Sequence, residues 1–227
     1  MSFESTTCWM TILTDELSHS LARDLLELGA VSLAPKNPFI WASGLRSPVY
    51  CDNRMTLGHP AIRARICEGF VDLIESNNLG CDIIGGIATA GIPHAAWLAH
   101  RLEKPMLYVR GAAKAHGHQN QVEGSLFPDS DVILIEDLVS TGMSSAAAIF
   151  SISEGGARVS AVLAIFTYRI DKAQKTFEEA GIPLYTLTDY PTLIEVAVRS
   201  GRIDNAEVAS LRGWYADPEA WSAENMT

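Results

Sequence analysis

Val132-Ile-Leu-Ile-Glu136-Asp137-Leu-Val-Ser140-Thr141-Gly142-Met-Ser144-Ser145 is the stretch that decides the fold. Its apolar opening, 132–135, reads as a short strand buried on both faces, the pattern of a parallel sheet covered by helices. Two adjacent carboxylates follow, then a turn of small hydroxyl-bearing residues, then the alanine-rich start of a helix. A helix N terminus presents unpaired backbone N–H groups, and Ser140 to Ser145 add hydroxyls to them, which suits a phosphate. A phosphate set directly against Glu136 and Asp137 would be repelled, so a neutral spacer has to lie between. A ribose is such a spacer: its two hydroxyls donate to the carboxylates while its 5′-phosphate rests in the turn. Each feature alone has an ordinary explanation, because acids often end buried strands and Ser, Thr and Gly often cap helices. Their order carries the reading of a phosphoribosyl cradle. The loop has neither the lysine of a G-x-x-x-x-G-K-[ST] nucleotide loop nor a G-x-G-x-x-G dinucleotide turn.

Working outward, the elements alternate as in an α/β fold. Leu17, Leu21, Leu25 and Leu28 recur at helical spacing between a cap at Thr14 and a stop at Gly29. Segments 39–41 and 49–52 read as short strands around a Ser-Gly-Leu-Arg-Ser-Pro turn. Pro60 opens a helix whose Ile62, Ile66, Phe70, Leu73 and Ile74 share a face. A strand at 82–86, a helix at 92–102 and a strand at 106–110 precede the deciding stretch. A strand at 159–167, a helix at 171–180, a strand near 184–187 and further helices follow it. No repeat, low-complexity tract or linker interrupts the chain, so 1–227 is expected to be one domain, with about the first 55 residues capping the sheet. In open α/β sheets ligands bind beyond the carboxyl ends of the strands.

Composition fits one domain: 227 residues, 48% of them hydrophobic, fill a sizeable core. A formal charge of -10 argues against a nucleic-acid partner, which needs clustered Lys and Arg. The cysteines at 8, 51, 67 and 81 show no paired metal spacing, and the start has no charged-then-apolar leader. Reduced thiols in a cytoplasmic protein are the simplest expectation. No apolar run approaches the ~20 residues of a membrane span. His19, His59, His94 and His100 have no ligand spacing and read as surface or packing residues, and the five tryptophans read as core or interface fillers.

The gap at 111–130 is the second informative feature. Loops longer than about 15 residues tend to be lids or disordered segments. This one carries Gly111, Gly117 and Gly124 with Lys114, His116 and His118. A plain solvated loop is the ordinary alternative.

The deciding stretch resembles the phosphoribosyl-pyrophosphate (PRPP) motif of type I phosphoribosyltransferases. Four further stretches narrow the resemblance to the orotate-using members: Phe39-Ile-Trp-Ala-Ser-Gly-Leu-Arg46-Ser-Pro-Val-Tyr50-Cys-Asp52, Gly85-Gly-Ile-Ala-Thr-Ala-Gly91-Ile-Pro93, Tyr108-Val-Arg110-Gly-Ala-Ala-Lys114-Ala-His116-Gly117 and Phe166-Thr-Tyr168-Arg169. The match runs in order from about Thr14 to Arg199. It implies the type I phosphoribosyltransferase fold, an α/β fold with a central, mostly parallel sheet flanked by helices, a small N-terminal cap and a mobile lid. The implied reaction transfers phosphoribosyl from PRPP to N1 of orotate, giving orotidine 5′-phosphate and pyrophosphate for pyrimidine synthesis.

By the same resemblance, Arg110, Lys114, His116, Glu136, Asp137, Leu138, Val139, Ser140, Thr141, Gly142, Met143 and Ser144 bind PRPP. Lys114, His116, Glu136 and Asp137 are the catalytic candidates, Ser140 and Arg169 the orotate contacts. Tyr50 and Cys51 are expected to offer backbone groups to the pyrimidine edge, and Gly85-Gly86 to admit backbone N–H groups to the pyrophosphate. Mg²⁺ is the implied cofactor, held mainly through PRPP rather than by protein ligands. The implied assembly is a homodimer whose lid residues reach the neighbouring site. Some orotate enzymes carry lysines where this chain has Ala42, Ala90 and Gly111, leaving Arg46 or Arg54 as substitutes. A purine phosphoribosyltransferase, a PRPP-sensing RNA-binding regulator and a receiver domain are the competing readings.

Overall fold

The computed structural model describes residues 10–12, 15–41, 44–111 and 121–225. The elements run β1 (Met10–Ile12), α1 (Asp15–Leu28), β2 (Val31–Leu33), β3 (Phe39–Ile40), β4 (Arg46–Ser47), β5 (Val49–Cys51), a 3-10 turn (Asn53–Gly58) and α2 (Pro60–Ser76). Then come β6 (Ile83–Ile87), α3 (Gly91–Arg101), β7 (Met106–Val109), β8 (Val122–Gly124), β9 (Asp131–Val139) and α4 (Met143–Glu154). β10 (Arg158–Thr167), α5 (Asp171–Ala180), β11 (Leu184–Asp189), α6 (Tyr190–Arg199), α7 (Asn205–Ala216) and α8 (Pro218–Glu224) complete it. The main sheet has the order β1-β11-β10-β9-β6-β7-β8, and every pair is parallel except β7 with β8. β2 with β5, and β3 with β4, form two small antiparallel sheets.

Why β9 reads as an unbroken apolar run is visible in the packing. Its residues alternate between two cores, one on each face of the sheet. Ile133 and Ile135, with Ile84, Leu163 and Ile165, join the core shared with α1, α2, α3, α6 and α7. Val132 and Leu134, with Ile83, Val162 and Ala164, join the core closed by Ala148, Ile149, Ile152, Ala173 and Phe177 of α4 and α5. With both faces covered, no polar side chain is tolerated until the strand reaches the sheet's carboxyl edge.

Four expectations need correcting. β9 does not stop before the acids: β10 pairs with it as far as Val139, so Glu136 and Asp137 lie inside the strand. The expected loop at 111–130 is shorter, because Val122–Gly124 pairs antiparallel with β7, and the Arg110 N–H donates to the Gln121 carbonyl at 2.8 Å. The N-terminal segment is not only a cap, since Met10–Ile12 adds to the sheet beside β11. Finally, Gly85 and Gly86, expected to admit backbone N–H groups to the pyrophosphate, lie buried inside β6 and are paired with strands on both sides. A Cβ on Gly86 would sit 2.8 Å from the Ile92 Cα, so this glycine lets α3 press onto the strand.

The tryptophans do fill the interior at the C-terminal end. Trp214 stands edge-on to Trp41 (5.8 Å between ring centroids) and to Tyr168 (5.7 Å), and Trp221 is buried beside it in the same core. His94 packs edge-on against Trp97, and burial pushes its pKa down to about 4. Trp9, Cys8 and Thr14 lie outside the described residues.

Candidate active site

β9 outruns its neighbour. Its ladder with β6 ends at Ile135, whereas its ladder with β10 continues to Val139. The acid pair therefore projects past β6 at the carboxyl edge of the sheet, where an open α/β fold binds ligands. A Cβ on Gly91, the first residue of α3, would collide with the Ile135 carbonyl, so glycine is required for the helix to begin this close to the pair.

Glu136 is only 6% exposed, and its Oε1 accepts from the Asp137 N–H at 3.1 Å. Burial, and after it the neighbouring Asp137, raises the Glu136 pKa well above the ordinary carboxylate range. Burial also raises Asp137, opposed by the hydrogen bond it receives from Glu136. Two carboxylates this close cannot both ionise cheaply away from water, so one proton stays with the pair, on Glu136. The pair presents about one negative charge to the cleft, enough to accept from a diol and to favour a cation beside it. The charge of Arg54 lowers the Asp137 pKa, while its own guanidinium is held by Asp52 at 2.6 and 2.8 Å.

Beyond the acids, Leu138 and Val139 finish the strand and Ser140, Thr141 and Gly142 turn the chain into α4, which begins at Met143 rather than at Ser140. Gly142 has φ +78°, a left-handed conformation that costs other residues roughly 1–2 kcal/mol. α5 backs the turn: Thr176 Oγ1 donates to the Thr141 carbonyl at 2.9 Å. No side chain caps α4, so the N–H groups of its first turn, at Met143 and Ser144, point out for an anion.

Arg169 follows β10 two residues after Thr167, whose partner in the ladder is Val139. It is not a free strand-end arginine. Its Nη1 bonds Oδ2 of the fully buried Asp189 at 3.1 Å, and the Tyr215 hydroxyl donates to its carbonyl at 3.2 Å. Arg110 follows β7 directly, and its Nη1 bonds Glu123 Oε1 of β8 at 3.1 Å. Lys114, His116 and Ala42 lie outside the described residues.

Tyr50 and Cys51 lie in β5. The Cys51 thiol donates to Asn53 Oδ1 at 3.3 Å, and Asn53 Nδ2 donates to the Asp137 carbonyl at 2.6 Å. Asn53 escaped the sequence reading. It follows the quoted Asp52 directly, but a lone Asn after Asp is indistinguishable from a turn residue, and its partner lies 84 positions away.

Comparison with known proteins agrees with this geometry. Residues 56–188 match the phosphoribosyl transferase domain family. An orotate phosphoribosyltransferase of Bacillus caldolyticus is 49% identical over 207 residues, covering 91% of this chain and all of that protein. One from Cutibacterium acnes is 49% identical over 213 residues, covering 94% of this chain and 99% of that protein. Among solved structures, the orotate phosphoribosyltransferase of Aeropyrum pernix superposes with a TM-score of 0.69 at 31% identity, covering 81% of this chain and 99% of that one.

Proposed function

Because the chain belongs to the phosphoribosyl transferase family and, within it, to the orotate phosphoribosyltransferases, we propose that it moves the 5-phosphoribosyl group of PRPP to N1 of orotate, releasing pyrophosphate and orotidine 5′-phosphate. The observation that carries this reading is the continuity of β9, its turn and α4, which sets a half-ionised acid pair one turn before an uncapped helix. The ribose diol bonds Glu136 and Asp137, and the 5′-phosphate lies against Ser140 to Ser144.

Breaking the bond from C1 to pyrophosphate puts positive charge on the sugar and negative charge on the leaving group. The buried pair favours that cation through short-range electrostatics. N1 of orotate attacks from the opposite face, so no protein nucleophile is needed. Ser140 and Arg169 hold the pyrimidine, and backbone groups of Tyr50 and Cys51 meet its edge. Arg110, Lys114 and His116 supply cations to the departing pyrophosphate.

Among the described residues no three His, Cys, Asp or Glu side chains converge as a metal site. Hard carboxylate oxygens next to a diol and a pyrophosphate nevertheless suit Mg²⁺ held chiefly by substrate oxygens. When bound, Mg²⁺ supplies charge neutralisation of the leaving oxygens. A single domain acting as a homodimer, with Lys114 and His116 serving the neighbouring site, completes the proposal. Cys51, Cys67 and Cys81 are free thiols, which supports a cytoplasmic setting. No helix among the described residues is long and apolar enough to cross a membrane.

The test is turnover of orotate, adenine, guanine and xanthine with PRPP and Mg²⁺, followed by pyrophosphate release. Orotate should be used by a wide margin. Use of a purine base in place of orotate would overturn the assignment.

A further inference from the structure

We propose that Asn53 is a positioning residue for the acid pair, tying the carbonyl of Asp137 to the strand that carries Tyr50 and Cys51; this rests on the reading of Asp137 as a ribose contact. Three observations combine. First, Asn53 is 1% exposed, and both ends of its amide are used: Nδ2 donates to the Asp137 carbonyl at 2.6 Å, and Oδ1 accepts from Cys51 Sγ at 3.3 Å. A carbonyl can only accept, so the amide nitrogen is the end that must face Asp137, and the orientation is fixed by chemistry.

Second, the bond falls where the sheet is weakest. Past Ile135, β9 runs beside β10 alone. Asp137 thus lies where β9 has a strand on one side only, and Asn53 adds a hydrogen bond from outside the main sheet. Third, Asn53 is itself held rigidly. Its carbonyl accepts from the buried Thr56 Oγ1 at 2.6 Å, and the 3-10 turn it opens is capped by Asp52, whose side chain accepts from the Arg54 N–H.

The amide therefore bridges two half-sites. β5 lies on the base side and β9 on the sugar side, and Asn53 fixes the spacing between them. It touches no reacting atom. Its loss lets the Asp137 peptide rotate, so the carboxylate no longer waits at the diol, and the entropy of ordering it falls on the substrate.

A double-mutant cycle tests this on the whole enzyme: wild type, Asn53→Ala, Asn53→Asp, Asp137→Asn and Asn53→Ala with Asp137→Asn, each assayed for kcat/KM toward PRPP with saturating orotate. Asn53→Ala should lose about tenfold, the scale of one well-placed hydrogen bond. Asn53→Asp keeps the shape but sets an acceptor against the carbonyl, so it should lose at least as much; near-normal activity would mean that Asn53 only fills space and would overturn the proposal. With Asp137 already changed to Asn, removing Asn53 should cost less than about twofold, because a residue acting through Asp137 has nothing left to position. A full tenfold loss in both backgrounds would refute the proposal for Asn53 while leaving the ribose contact standing. Undiminished PRPP use by Asp137→Asn would instead refute the ribose contact and Asn53's role with it. If Asn53→Ala does not fold, the isosteric Asn53→Asp carries the same cycle.

Discussion

Replacing Glu136 by Gln should make the protein more stable and the enzyme worse. In the unfolded chain a glutamate titrates near its ordinary 4.5, and burial together with Asp137 lifts the folded value well beyond that. A carboxyl whose folded pKa is raised contributes its full stability below the unfolded pKa, and that stability is lost as pH climbs from 4.5 toward the folded value. At pH 7 the unfolded glutamate is ionised while the buried one still holds its proton. The cost is then set by the gap between 4.5 and 7, about 3 kcal/mol, however far above neutrality the folded value lies. At pH 5 the same reckoning leaves less than about 1 kcal/mol. A glutamine has no proton to hold, and its Oε1 still accepts from the Asp137 N–H as Glu136 does. The stability gap between Glu136→Gln and wild type should therefore widen by about 2 kcal/mol between pH 5 and pH 7 in urea titrations of matched slope. Activity with PRPP should also fall, because the amide nitrogen can only donate where a carboxyl oxygen could accept from the diol. A gap that is flat with pH, or that narrows toward pH 7, would refute the account of the pair as one proton shared by two buried acids.

Three other outcomes follow from the same geometry. Lys114→Ala should lower kcat about 100-fold, the scale of one electrostatic contact to a leaving group, and near-normal turnover would remove Lys114 from the chemistry. Gly142→Ala forces φ +78° on an L-residue and sets a Cβ 3.1 Å from the Phe177 ring; it should cost roughly 1–2 kcal/mol in unfolding experiments and raise KM for PRPP more than KM for orotate. Arg169→Ala strands the buried Asp189 without its cation, so it should destabilise by about 3 kcal/mol as well as raising KM for orotate; an unchanged melting temperature would show that Asp189 finds another partner.

How much of this was legible in the sequence depends on range. The 171–180 helix and the apolar opening of β9 were readable because each signal is local: an amphipathic period in one, burial on both faces in the other. The adjacent acids were readable because they stand in sequence between the apolar run and the hydroxyl-rich turn. β8 was not, since a three-residue strand such as Val122–Gly124 forms only because β7 offers an open edge. Gly85 and Gly86 gave the right residue and the wrong cause: sequence shows that a side chain is missing, not which neighbour needed the room. Asn53 with Asp137, and Arg169 with Asp189, are pairings across folded distance, and neither period nor motif encodes them.

The three neutral positions Ala42, Ala90 and Gly111 pose a further question, because a chain of net charge -10 must still receive a polyanion. The arginines near the site answer it in an unexpected way. Arg54 is already clasped by Asp52, and Arg110 by Glu123. Such partly exposed pairs contribute little, whereas a pyrophosphate brings several charges and bidentate oxygens to a guanidinium group. On the proposed function, the acids would hold the cations in place before substrate arrives and yield them at little cost when it does. Arg54 in particular cannot be judged a replacement lysine by position alone, since its paired guanidinium also tunes Asp137. Removing it should shift the ionisation of the acid pair upward as well as weakening anion capture, and a pH profile of kcat/KM for PRPP on Arg54→Ala, compared with its KM at one pH, separates the two effects.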